Sequence, residues 1–196
     1  MKLYVTPNSP YARMARVVVI ERGLEDRVAV VRAETRAAGS AYYAINPSGR
    51  VPYLVRDDGV GMEDSALICA YLGGPSFQAP APDAWEERRL EALARSLLDG
   101  LAVWSRELKR PEGERSPAVL AHEAARAARM VDVWEREIAS PRMQAPLDLL
   151  QLTLACALGM EARNADFRWR PEHPRLCAWF ERVSARPSFA ATAPVR

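Results

Sequence analysis

Ser9-Pro10-Tyr11-Ala12 lies where a short strand-like run gives way to a helical period, which puts the serine hydroxyl at the start of a helix. That end of a helix carries partial positive charge, and a hydroxyl donor beside it suits a bound anion. The same serine is poorly equipped to be a nucleophile. No histidine or second acid accompanies it in the motifs of the N-terminal half to serve as its base, and His122 and His173 both fall in the second half. Tyr4 offers a rival hydroxyl, but a place on the first strand favours packing. Two further segments stand out: Asn46-Pro47-Ser48-Gly49-Arg50-Val51-Pro52, and Asp64-Ser65 ahead of an apolar helical run. Taken singly, Ser9-Pro10 and Asp64-Ser65 are ordinary helix starts. Their coincidence favours a binding site.

The elements that must position these residues follow from changes of period. Residues 2–6 read as a strand, and 12–22 as a helix closed by Gly23. A second strand fits 27–32, then a polar stretch around Gly39 with room for a short helix. Strands at 51–55 and 61–63 flank Asp57-Asp58-Gly59, a hairpin signal, and a last helix spans 65–72. The order β-α-β-α-β-β-α is that of a thioredoxin fold. Gly73-Gly74-Pro75 through Pro80 and Pro82 is too rich in glycine and proline to continue a helix. Beyond it the period is helical, with Leu90, Leu93, Leu97, Leu101, Trp104 and Leu108 on one face, then a helix begun by Ser116-Pro117. Residues 147–160 are apolar on nearly every face, as a buried central helix would be. The expected fold class is α/β plus all-α: a thioredoxin-like domain over residues 1–74, a linker over 75–83 and an all-helical domain over 84–196.

Composition narrows the partners. Lys and Arg number 27 against 25 Asp and Glu, and they are interspersed, so a nucleic-acid surface is not expected. No run of about 18 uninterrupted apolar residues suggests a membrane span, and the first ten residues do not read as an export signal. The expectation is a soluble, cytoplasmic protein. Cys69, Cys156 and Cys177 form no CxxC pair and stand among apolar neighbours, so all three are expected to be buried thiols, with no metal.

The three segments together resemble a known family. Ser9-Pro10-Tyr11-Ala12 occupies the place of the Cys-Pro-Tyr-Cys of redox proteins of this fold, without either cysteine. Asn46 to Pro52 resembles the NPxGxVP segment of glutathione transferases, and Asp64-Ser65-Ala66-Leu67-Ile68 with Tyr71-Leu72 resembles their (E/D)SxxI..YL segment. The tail from Ala165-Asp166-Phe167-Arg168-Trp169 through Arg186-Pro187-Ser188-Phe189 also looks like bacterial members. By this resemblance the chain is identified as a serine-type, cytosolic, bacterial glutathione S-transferase-like protein, matching over essentially its whole length.

The resemblance implies glutathione as co-substrate, held by Ser9, Arg50, Val51, Pro52, Asp64 and Ser65. Val51-Pro52 is expected to be cis, presenting the Val51 backbone to an extended peptide as if to an added strand. The Ser65 hydroxyl and nearby N–H groups suit the γ-glutamyl carboxylate, and Asp64 its ammonium group. Ser9 is the expected catalytic residue. A free thiol titrates near 8.5, so lowering it by two units demands about 2.7 kcal/mol of preferential stabilisation of the thiolate. A homodimer is implied as well, and a pocket for a small hydrophobic electrophile near Tyr11 and the Trp104 helix. One departure is Ala145 where the family's S/T-x-x-D pattern has a hydroxyl, which predicts a missing cap ahead of Asp148 worth about 1 kcal/mol. Conjugation is the leading activity. Glutathione-dependent isomerase, lyase or dehalogenase chemistry and a non-catalytic glutathione- or partner-binding module are the alternatives. Thiol-disulfide exchange is weakest, since its nucleophilic cysteine is replaced by Ser9.

Overall fold

The computed structural model describes residues 1–194, which divide into two compact units: Met1–Ala79 with the segment from Pro187, and Pro80–Arg186. In the first unit, β1 (Lys2–Val5) leads into α1 (Pro10–Glu21), followed by β2 (Ala29–Arg32), α2 (Tyr42–Ile45), β3 (Tyr53–Val55), β4 (Gly61–Met62) and α3 (Ser65–Gly73). The four strands form one sheet in the order β2-β1-β3-β4. β1 runs parallel to β2 and antiparallel to β3, and β4 is antiparallel to β3. The thioredoxin order read from the sequence is the order observed.

Local chemistry accounts for the boundaries. Ser9 caps α1 with Pro10 in its first turn, and Gly23 leaves the other end at φ +59°, a conformation that a Cβ disfavours. The hairpin turns at Gly59, φ +83°, where Asp58 Oδ1 accepts from the Val60 N–H at 3.1 Å. β3 starts at Tyr53, two residues later than the pattern suggests, because Pro52 has no N–H for a ladder. Leu3 and Leu54 are fully buried on paired strands, and α1 packs on α3 with Met14, Val17, Val18 and Ile68 inaccessible. The glycine-rich stretch after α3 begins as a tight turn over Gly74–Phe77. Phe77 is buried on Gly73, where a Cβ would lie 2.4 Å from the Phe77 ring.

The second unit contains α4 (Trp85–Glu107), α5 (Pro117–Glu137), α6 (Leu149–Leu158) and α7 (Pro174–Ser184). α4 packs on both α5 and α6, and every residue of α6 is buried, as its all-round apolar pattern predicts. Among the described residues no helix is long and apolar enough to cross a membrane.

The expected capping defect at Ala145 does not occur, because α6 starts three residues later. Asp148 is itself the cap, its Oδ1 accepting from the Gln151 N–H at 2.9 Å. Gln151 Nε2 donates to the Ala145 and Pro146 carbonyls at 2.9 and 3.0 Å, so a buried amide satisfies the bend. Arg142 Nη2 lies 2.5 Å from Asp148 Oδ2. Burial nevertheless pushes the Asp148 carboxyl above its ordinary range, outweighing the Gln151 N–H and the Arg142 charge.

The chain ends in a short helix, α8 (Pro187–Ala191), that belongs to the first unit and packs on α1. The sequence reading leaves this segment in the helical region. Five residues are too few to display a helical period, and the contacts that hold it are with residues about 170 positions earlier.

Candidate active site

Strand register brings the three candidate segments to one end of the sheet. Tyr4 pairs with Tyr53, so the end of β1 that leads to Ser9 is the end at which β3 begins, directly after Pro52. Met62 pairs with Leu54, and β4 therefore also finishes at that end, delivering Glu63-Asp64-Ser65 to the start of α3. An antiparallel and parallel arrangement of this kind places residues from positions 9, 46–52 and 63–65 in one neighbourhood.

Ser9 is half-buried and extended, at φ −78° and ψ 119°, and its Oγ accepts from the Ala12 N–H at 3.2 Å. Accepting that bond leaves the hydroxyl proton able to donate to an anion. No acidic side chain occupies the first turn of α1, so none of its own carboxylates neutralises the positive end. Beside it, Asn8 buries its Oδ1 with no hydrogen-bond partner among the described residues. Tyr4 stacks at 5.5 Å on Tyr42, in keeping with a packing role.

The Val51–Pro52 peptide is cis, as is Glu63–Asp64. Among the described residues the Val51 N–H and C=O have no hydrogen-bond partner, because the residue precedes β3 instead of pairing within it. The preceding loop is held by Asn46 and Ser48 of the quoted segment together with Tyr42 and Glu63, which sequence reasoning passed over. The Arg50 carbonyl accepts from Tyr42 Oη at 2.5 Å and from Asn46 Nδ2 at 3.0 Å. Burial raises the Tyr42 phenol above its ordinary range, which keeps its proton available for that bond. Glu63 Oε2 accepts from Ser48 Oγ at 2.7 Å and Asn46 Nδ2 at 3.2 Å, and so ties the loop to the entrance of α3. Gly49, at φ +64°, lies so close to Tyr43 that a Cβ would be 2.8 Å from its ring. Arg50 itself is exposed.

Asp64 is the cap of α3, with Oδ1 accepting from the Ala66 and Leu67 N–H groups at 2.7 and 3.3 Å. These are N–H groups that the sequence reading offers to a ligand carboxylate, and the protein's own carboxylate holds them here. Ser65 follows at the first helical position, 3% exposed. Tyr11 sits half-buried on α1. Trp104 is in the core of the second unit, its ring edge-on to Phe167 at 6.3 Å, which makes it a packing residue.

His173 is likewise structural, buried with Nδ1 2.5 Å from the Trp169 carbonyl and Nε2 2.9 Å from Asp132 Oδ1. Cys69 and Cys156 are buried thiols, but Cys177 is half-exposed, with Arg170 Nη1 3.3 Å from its sulfur. Its neighbours include charged residues one helical turn away and across the preceding loop, which its apolar sequence context does not reveal. Among the described residues no group of three or more His, Cys, Asp or Glu side chains could hold a metal ion.

Residues 8–74, which carry every candidate position except Trp104, match the N-terminal domain of glutathione S-transferase. Over the full length, the chain is 32% identical to a glutathione transferase family member from Pseudomonas fluorescens Pf-5 solved with bound glutathione. That similarity covers 100% of this chain and 99% of the other, with a TM-score of 0.88. The chain belongs to the glutathione S-transferase superfamily. A second structure from the same organism, a glutathione transferase family member with bound S-(propanoic acid)-glutathione, is 31% identical over 100% of both chains, with a TM-score of 0.86. The uncharacterized GST-like protein YibF of Escherichia coli (strain K12) is 28% identical, covering 99% of this chain and 98% of its own length. Within the superfamily, the thioredoxin-like sheet unit followed by a helical unit is the arrangement observed.

Proposed function

We propose that this protein is a glutathione transferase, in which the first unit holds glutathione and the Ser9 hydroxyl stabilises its thiolate. The observation that carries the reading is the convergence of Ser9, the Arg50-Val51-Pro52 backbone and Asp64-Ser65 at one end of one sheet. In the proposed pose, the Val51 N–H and C=O pair with the cysteinyl backbone of the peptide, and Pro52 and Arg50 flank it. Asp64 and Ser65 take up the γ-glutamyl ammonium and carboxylate. The glutathione sulfur then lies at the start of α1. There Ser9 donates a hydrogen bond to it, and the unneutralised first turn adds its positive potential.

The thiolate attacks an electrophilic carbon, the new S–C bond takes the sulfur's electron pair, and a leaving group departs or, on addition to a double bond, a proton completes the adduct. Ser9 forms no covalent bond in this scheme. Tyr11, on the same helix, is the proposed neighbour of a small hydrophobic electrophile. The glutathione thioether bound by the Pseudomonas fluorescens protein supports a site that accepts a substituent on sulfur. Three cysteines outside any disulfide fit a reducing, cytoplasmic setting.

The test is a panel assay of glutathione with aryl halides, epoxides, enones and organic halides, read by product mass. Conjugates with at least one class are expected. Glutathione binding with only isomerised or dehalogenated products would move the protein to another reaction of the same thiolate, and no glutathione binding would contradict the proposal.

We further propose a homodimer. Leu67 and Tyr71, one turn apart on α3, are 51% and 47% exposed, and Val60 on the adjacent hairpin is 53% exposed. Exposed apolar side chains of this kind favour burial against a partner. Light scattering at micromolar concentration is expected to give the mass of two chains, and the mass of one would refute the dimer.

A further inference from the structure

α1 is held at both ends by the last helix of the chain. In its first turn, Arg13 is 8% exposed and reaches α8 and the residue after it, Nη2 donating to the Phe189 carbonyl at 3.1 Å and Nε to Thr192 Oγ1 at 3.4 Å. The guanidinium also stacks on the Phe189 ring, 5.3 Å from its centre. One turn on, Arg16 Nη2 approaches the Ala191 carbonyl at 3.5 Å. In the last turn, Glu21 Oε1 accepts from Ser188 Oγ at 2.5 Å. Arg13 and Glu21 are eight residues apart, about 12 Å along the helix, so the two ties fix its direction as well as its place. Ser188, Phe189 and Thr192 are each 1% exposed, which makes this a packed junction.

Two features connect the junction to the start of α1. The Arg13 N–H donates to the Ser9 carbonyl at 2.9 Å, in the first bond of the helix, so the residue tied to α8 is also bonded to the cap. The guanidinium has no carboxylate partner among the described residues, and its acceptors are neutral oxygens. A buried cation normally has an anionic partner. Here the positive charge remains uncompensated by any acid on α8, since residues 187–194 contain no charged side chain. Burial and the charge of Arg13 together lower the Arg16 guanidinium below its ordinary value. The other charged group on this face of α1 is Glu21, in its last turn. α3, also packed on α1, brings Cys69 and Tyr71, with Asp64 at its cap.

We propose that Arg13 is a positioning residue for thiol activation: by tying the first turn of α1 to residues 187–192, it sets the direction of the Ser9 hydroxyl and of the first helical N–H groups toward the glutathione sulfur. The inference rests on the reading of Ser9 given above. The C-terminal segment is then part of the glutathione unit in function as well as in packing. Arg13 need not touch glutathione to do this.

The experiment follows thiolate absorbance of bound glutathione against pH in wild type, Ser9→Ala, Arg13→Met, Arg13→Lys and Thr192→Val, with melting temperatures recorded alongside. Arg13→Met is expected to raise the thiol midpoint by about half a unit or more, roughly a threefold loss of thiolate below the midpoint. Arg13→Lys keeps the charge but loses the planar fork, and should shift the midpoint in the same direction by less. Thr192→Val leaves Arg13 intact and removes one of its acceptors, so it should also raise the midpoint. If Arg13→Met fails to fold, the lysine and Thr192 variants carry the test. Lower melting temperatures with unmoved midpoints would reduce the junction to packing and overturn the proposal, as would an unmoved midpoint in Thr192→Val. If Ser9→Ala shifts the titration and the Arg13 and Thr192 variants do not, only this inference fails. If the wild-type thiol itself titrates at its ordinary value, the proposed function fails with it.

Discussion

Ser65→Ala is expected to weaken glutathione binding by roughly 10- to 150-fold, the equivalent of losing one hydrogen bond to a charged group, about 1.5 to 3 kcal/mol. The position allows a clean reading. Ser65 is the first residue of α3 and is capped by Asp64, whose Oδ1 already holds the Ala66 and Leu67 N–H groups. Alanine is a good helix residue, and the cap survives the change, so the helix start should persist. At 3% exposure the hydroxyl is enclosed, and a bond made there is little weakened by competing water. Calorimetric titration with glutathione measures the effect, and the melting temperature of the free variant controls for loss of fold. An affinity equal to wild type would remove Ser65 from the site. The effect should fall on affinity with little change in the pKa of bound thiol, because the γ-glutamyl end is remote from the sulfur along the peptide.

What the sequence made legible was governed by local rules. Ser9-Pro10 and Ser116-Pro117 mark helix starts because a capping oxygen and a proline in the first turn solve a problem confined to four residues. Asp58-Gly59 marks the hairpin for the same reason. The buried α6 announces itself by lacking a polar face. Less visible were features set by partners distant in sequence. Asn46 opens a recognisable segment but Glu63 has no signature of its own, and their bond across 17 positions appears only when β3 and β4 bring the loop to the entrance of α3. Arg13 shows nothing in its sequence context of the burial that residues 187–192 impose on it. Cys177 has apolar sequence neighbours, yet Arg170 and Glu181 flank it in space. Ala145 stands where the family spacing expects a capping hydroxyl, but the helix begins at Leu149 and Asp148 caps it.

The largest kinetic effect is expected from Ser9→Ala. Glutathione affinity should remain close to wild type, since the Val51 backbone and the γ-glutamyl contacts are untouched, while conjugation near neutral pH slows. If the hydroxyl provides most of a two-unit depression, the rate falls by up to about 100-fold below the thiol midpoint, and raising the pH restores part of it by ionising the thiol without help. The loss of the cap will also cost stability, about 1 kcal/mol, which a melting curve separates from the kinetic effect. Ser9→Cys should gain thiol-exchange activity, because a thiol at the positive end of α1 is driven toward the thiolate. The slowed conjugation with its rescue at high pH is not expected if Ser9 merely starts the helix, whereas a gain of exchange activity in Ser9→Cys reports only the helix end.

The most direct test is the absorbance of the bound thiolate titrated against pH in wild type and Ser9→Ala, each saturated with glutathione. The account predicts a wild-type midpoint well below the ordinary thiol value of about 8.5 and a midpoint in Ser9→Ala displaced upward toward it. Superimposable curves would contradict it, leaving Tyr4 or the helix dipole alone to account for any activity.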